Sequence, residues 1–131
     1  MVTAMLSNDQ AAPQGLGTIL VLEDEVMVST MMEDELLDLG AAQVLVCGNV
    51  EQARDLVERS AIHCAILDVQ IGGADSFLVA DALAERGIPF FFASASGPEV
   101  LCERHRHRPL LSKPFSDEQL RNCIAEAVAT R

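Results

Sequence analysis

Apolar residues along this chain follow two alternating patterns. Short continuous runs occur at Ile19–Leu22, Gln43–Cys47, Ile62–Leu67, Pro89–Ala93 and, more briefly, Leu110–Leu111. After each run, apolar residues recur at steps of three and four. Such runs suit strands buried on both faces, and the periodic stretches suit amphipathic helices. Val28, Met31, Met32, Leu36 and Leu39 define a first helix ended by Gly40. Asn49 is placed to cap a second helix carrying Ala53, Leu56 and Val57. Phe77, Ala80, Leu83 and Ala84 predict a third, ended by Gly87. A fourth, shorter helix is predicted from Gly97-Pro98, with Pro in its first turn. Ser116-Asp117-Glu118-Gln119 reads as a capping box opening a fifth, whose inner face is Leu120, Cys123, Ile124, Ala127 and Val128. Strand and helix thus alternate five times, which predicts an α/β fold with a doubly wound parallel sheet. Residues 1–17 have no such period and contain Pro and Gly; they read as a flexible N-terminal tail, leaving 18–131 as one folded domain.

In a sheet of this kind, ligands bind at the carboxyl ends of the strands. The residues expected there are Glu23-Asp24-Glu25 after the first run and Asp68 after the third. Ser94-Ala95-Ser96 follow the fourth, and Ser112-Lys113-Pro114-Phe115 the fifth. Taken singly, an acidic pair, a turn serine or a Lys-Pro step is ordinary loop chemistry. Asp68 stands out because an ionised Asp is rarely set against a core without a partner. Their placement at the same end of successive strands converges carboxylates, hydroxyls and one lysine. Gathered carboxylates repel unless a cation neutralises them, and an all-oxygen donor set suits Mg²⁺. With Mg²⁺ bound, one carboxylate can attack an incoming phosphoryl group while the lysine and a hydroxyl spread its charge.

Composition narrows the function classes. The chain has 131 residues, about one domain, and a formal net charge of -11. That surplus argues against nonspecific binding to nucleic acid or to an anionic membrane. No apolar run approaches the ~20 residues of a membrane span, and no signal peptide is evident. Cys47, Cys64, Cys102 and Cys123 form no C-x-x-C pair, so reduced thiols in a cytoplasmic protein are expected. There is no Trp or Tyr. Glu103-Arg104-His105-Arg106-His107-Arg108 is the one dense basic run. It reads first as a solvated loop, with a docking patch for an acidic partner or a His105/His107 metal site as alternatives.

The stretches ILVLEDE, AILDVQ, FFFASAS and LSKPF, in that order, resemble the receiver domain of bacterial two-component response regulators over about residues 18–129. The resemblance implies a flavodoxin-like (βα)5 sheet of strand order 2-1-3-4-5. It implies Asp68 as phospho-acceptor from the phosphohistidine of a sensor histidine kinase or histidine phosphotransfer protein. Glu23, Asp24, Asp68 and the Gln70 backbone carbonyl would then hold Mg²⁺, and Ser94 and Lys113 would stabilise the phosphoryl group. Lys113–Pro114 becomes a cis-peptide candidate, and Leu110, Arg104, Arg106 and Arg108 fall on the output face. The protein would not be an enzyme in its own right but a stand-alone regulator acting by protein binding or phosphate shuttling. The alternative is a degenerate receiver that binds proteins without phosphorylation. The family often has an aromatic three residues before the lysine, where this chain has Leu110, and a Pro four residues past the acceptor, where it has Gly72-Gly73. Those glycines predict a more flexible loop. A haloacid-dehalogenase-type phosphatase needs a second acid where Gln70 stands, and a flavodoxin-type electron carrier needs a phosphate loop that Glu23-Asp24-Glu25 would repel.

Overall fold

The computed structural model describes residues 15–129. The chain runs β1 (Gly17–Leu22), α1 (Val26–Asp38), β2 (Ala41–Cys47), α2 (Val50–Arg59) and β3 (Cys64–Asp68). A hairpin follows, β4 (Gln70–Ile71) and β5 (Ala74–Asp75), then α3 (Phe77–Glu85) and β6 (Phe90–Ser94). Two 3-10 turns (Pro98–Val100 and Glu103–His105) lead to β7 (Leu110–Ser112) and α4 (Asp117–Ala129). The five main strands pair in parallel in the order β2-β1-β3-β6-β7. Counting those five alone, this is the flavodoxin-like order 2-1-3-4-5.

Alternating side chains of each strand enter opposite layers. Leu20, Leu22, Leu67, Phe90 and Phe92 pack with Ala53 and Val57 of α2 and Leu83 of α3. Ile19, Val21, Ile66 and Phe91 pack with Met32 and Leu36 of α1 and Leu120 and Ile124 of α4. Both sheet faces are therefore covered, which is why the strands read as unbroken apolar runs. The caps form as expected: Asn49 Oδ1 accepts the Gln52 N–H at 2.8 Å. At α4, Ser116 Oγ accepts the Gln119 N–H at 3.2 Å while Gln119 Oε1 accepts the Ser116 N–H at 2.8 Å.

Several sequence expectations need correcting. In α1 the buried stripe is Ser29, Met32 and Leu36, and Met31 is exposed. Burying Ser29 costs little because its hydroxyl donates to the Val26 carbonyl at 3.1 Å. Val79 lies in the core where Ala84 was expected, and Val128 is exposed. Leu16 already packs on the α1/α4 layer and its N–H bonds the Gly40 carbonyl at 3.0 Å, so order begins before residue 18. Residues 1–14 of the expected tail lie outside the described residues, as do 130–131.

The predicted fourth helix is absent from the described residues, and two 3-10 turns take its place. Leu101 and Cys102 adopt extended backbone between the turns, so no continuous helical ladder can pass through them. Leu101 is thereby buried in the α2/α3 layer. The Gly72-Gly73 segment, expected as a more flexible loop, has a defined turn geometry. It is the tip of the β4–β5 hairpin, with φ of 56° and 84° at the two glycines. Positive φ at both central residues is what a two-residue type I′ turn demands, and glycine meets it without strain.

Candidate functional site

Because β1, β3, β6 and β7 run parallel, their carboxyl ends bring Glu23, Asp68, Ser94 and Lys113 together. Lys113 Nζ donates to Glu23 Oε1 at 2.6 Å and to Asp68 Oδ2 at 3.2 Å. Carboxylate oxygens of Glu23, Asp24 and Asp68 all lie within 4.8 Å of one another, the one grouping of metal-ligand type among the described residues. Glu23 is buried, Asp68 half-buried and Asp24 exposed. The Glu23 carboxylate is further held by the Glu25 N–H, 3.1 Å from Oε2. A cleft of about 340 Å³ opens over Asp68, with Glu25, Gln70, Ser94, Ser96 and Lys113 in its walls.

At the end of β6, Ser94 Oγ accepts the Ser96 N–H at 2.9 Å, which leaves the hydroxyl proton available to a ligand. The Ser94 carbonyl accepts the Lys113 N–H at 2.9 Å, tying the ends of β6 and β7. The Lys113–Pro114 peptide bond is cis. Gln70 opens the hairpin beside Asp68, paired with Asp75.

Electrostatics follow from this crowding. Burial pushes the Asp68 carboxyl up from its ordinary value; the Lys113 charge opposes the rise, and the Glu23 and Asp24 charges add to it. Burial alone would lower Lys113, but its bonds and charge contacts with Glu23 and Asp68 outweigh that and hold the ammonium above its usual range. Three carboxylates thus face one ammonium, and the surplus negative charge suits a hard divalent cation.

The other expected residues are placed differently. Arg104 does not stand free: it grips Asp81 of α3 by two hydrogen bonds of 2.8 and 2.9 Å. Arg106 donates to the Leu101 carbonyl at 3.1 Å, and the Arg108 guanidinium lies 4.2 Å over the Phe90 ring. Leu110 is half-buried and pairs with Phe92 across the strands. The basic run is largely the solvated loop first expected, with Glu103, Arg104, Arg106 and His107 exposed, but His105 departs from it. The alternative of a His105/His107 metal site fails: His105 is buried with Nε2 at 2.7 Å from Asp81 Oδ1, while His107 is exposed. No sequence signal pointed to His105 as a core residue. The hairpin had one, a Gly-Gly pair of hairpin-turn type.

The two buried thiols offer no rival nucleophile. Burial pushes Cys47 up to about 11 and Cys64 to about 12, so both stay protonated. A second hollow, of about 360 Å³, lies at the amino ends of the strands between Leu16, Leu39, Ile124 and Val128, away from the acids.

Fold and site together define a receiver-type α/β domain. SdrG from Sphingomonas melonis Fr1, a solution structure, is 39% identical, with a TM-score of 0.75 over 88% of this chain and 98% of that one. The PhyR response regulator REC domain of Erythrobacter litoralis is 27% identical, with a TM-score of 0.73 over 89% and 93% of the two chains. The receiver domain of a sensor histidine kinase from Pseudomonas aeruginosa PAO1, 22% identical, shares the fold, with a TM-score of 0.75 over 88% of this chain and 99% of that one. No family profile matches the sequence. The chain belongs to the response-regulator receiver family.

Proposed function

We propose that this chain is a phospho-accepting receiver in which Asp68 takes a phosphoryl group from the phosphohistidine of a sensor histidine kinase or histidine phosphotransfer protein. The observation that carries this reading is the Asp68 carboxylate, 3.2 Å from Lys113 Nζ, opening into a cleft beside Glu23 and Asp24. One Asp68 oxygen attacks phosphorus; the O–P bond forms as the N–P bond breaks, and the leaving imidazole takes up a proton. Lys113 and the Ser94 hydroxyl stand where they can neutralise and hydrogen-bond the incoming oxygens. Glu23, Asp24, Asp68 and the Gln70 backbone carbonyl would hold Mg²⁺, whose chemistry is to neutralise charge on the transferred group. The Pseudomonas neighbour was solved with magnesium in its active site cleft, and SdrG in a BeF3-activated conformation, which supports both parts of the reading.

The donor would approach over α1. That helix starts just past the acids and exposes Val26, Met27 and Met31, the first two more than 70% accessible. An apolar strip of this kind beside a phosphoryl site suits a helical protein partner. The domain modifies only itself, and its output is protein binding or onward phosphate transfer, read at Leu110 and the face carrying Arg104, Arg106 and Arg108. A degenerate receiver is disfavoured because the acids, Asp68, Ser94 and Lys113 are all in place. No helix among the described residues is long and apolar enough to cross a membrane.

Intact mass after acetyl phosphate and Mg²⁺ treatment tests the proposal. One added phosphoryl group is expected in the wild type and none in Asp68→Asn. Equal labelling of the two would overturn it.

A further inference from the structure

We propose that His105 is the key of an acid-sensitive latch that pins the connection between β6 and β7 onto α3. The imidazole is only 3% exposed. It stacks on Phe77 at a centroid distance of 6.3 Å and meets Phe90 and Phe92 at 5.7 and 5.9 Å. Nε2 lies 2.7 Å from Asp81 Oδ1, and Nδ1 has no hydrogen-bond partner.

This arrangement discriminates between protonation states. In the neutral ring with its proton on Nε2, that nitrogen donates to Asp81 and Nδ1 is left as a bare acceptor. In the imidazolium, Nδ1–H becomes a buried donor among aromatic rings with nothing to receive it, which is the costlier defect. The charged groups that bear on the ring are Asp81 of α3, which favours the cation, and Arg104 and Arg108 of the connection itself, which oppose it. β6 and the first turn of α3 contribute only Phe90, Phe92 and Phe77 to this surround. Burial is the strongest influence and holds His105 below its ordinary value despite Asp81. Acid therefore favours the ring outside the cage.

The connection leaves with the ring. His105 closes the second 3-10 turn, and Arg104 in that turn forks onto the same Asp81. Arg106 bonds the carbonyl of buried Leu101, which joins the second turn to the first. Val100 of the first turn lines the cleft over Asp68. Residues 98–108 thus form one element with a latched and an unlatched state, and proton uptake at His105 biases it.

The test is amide hydrogen exchange on the full chain between about pH 7.5 and about pH 5.5, corrected for intrinsic rates, with ¹⁵N shifts of the His105 ring. Residues 98–108 should lose up to roughly tenfold of their protection at the lower pH, the bound set by an imidazole of ordinary basicity in the open state, while β1 and β3 hold theirs. His105→Phe, which keeps a ring in the cage, should abolish the pH dependence. If that variant does not fold, the wild-type ring decides: it should be the Nε2–H tautomer at the higher pH and titrate together with the loss of protection. Acid opening that persists in His105→Phe, or a ring that titrates with 98–108 still protected, would overturn the latch.

Discussion

The Lys113 ammonium lies closer to Glu23 than to Asp68, at 2.6 Å against 3.2 Å, and Glu23 is the more deeply buried of the two acids. The lysine therefore has two tasks. It faces Asp68, the proposed phospho-acceptor, and it is the cation that makes a buried Glu23 tolerable. Removing one partner of such a pair leaves an uncompensated charge, which costs more than the pair itself contributes.

Lys113→Met should accordingly lower stability at neutral pH by about 1–3 kcal/mol, because the buried Glu23 carboxyl loses its 2.6 Å partner. Added Mg²⁺ should restore part of the loss. Denaturant melts followed by circular dichroism, with and without Mg²⁺, check this. Equal midpoints for variant and wild type without Mg²⁺ would show that Glu23 does not depend on Lys113.

Asp68→Asn should act in the opposite direction. The folded carboxyl of Asp68 sits above its ordinary value, chiefly because of burial. The fold therefore favours the protonated form, and stability is lost as pH rises through the carboxylate range, with the full penalty present at neutral pH. Asn carries no such penalty, so the variant should be more stable at neutral pH, with the gap closing as pH falls through the carboxylate range. A variant less stable than wild type at neutral pH would contradict this.

Asp24 and Glu25 are adjacent acids with different placements. Asp24 belongs to the carboxylate grouping, whereas Glu25 supports Glu23 through its backbone N–H, which alanine retains. Asp24→Ala should weaken Mg²⁺ binding by roughly 10-fold or more, and Glu25→Ala far less. Titration calorimetry measures both, and equal losses would mean the ligand set is wrongly drawn.

Leu110 has no hydroxyl and gains little by changing its packing site, so a phosphoryl group should be sensed mainly through the Ser94–Ser96 turn. Binding of beryllofluoride should change hydrogen-exchange protection mainly in residues 93–104 and little in 109–111. A dominant change around Leu110 would indicate a different route.

Much of this was readable in the chain itself. Apolar runs located all five strands of the main sheet, most cleanly β1, β3 and β6, where burial on both faces leaves no polar alternation to confuse the pattern. Asn49 and the Ser116–Gln119 pair marked helix starts because capping is a local interaction. What failed was non-local. Leu101 turns extended to enter the core, and His105 is drawn under α3 by Phe77, Phe90, Phe92 and Asp81, from distant parts of the chain. No local signal in a Glu-Arg-His-Arg-His-Arg run records such contacts. The acids, Asp68, Ser94 and Lys113 were legible for a different reason: a parallel sheet brings whatever follows each strand to one end.

The assignment of Asp68 itself can be read by chemical trapping. After acetyl phosphate and Mg²⁺ treatment, borohydride reduces an aspartyl phosphate to homoserine, and peptide mass mapping then locates the converted residue. Conversion at position 68 alone is the expected result. Conversion at Glu23 or Asp24, or none at all in a protein whose intact mass shows a phosphoryl group, would contradict Asp68 as the acceptor.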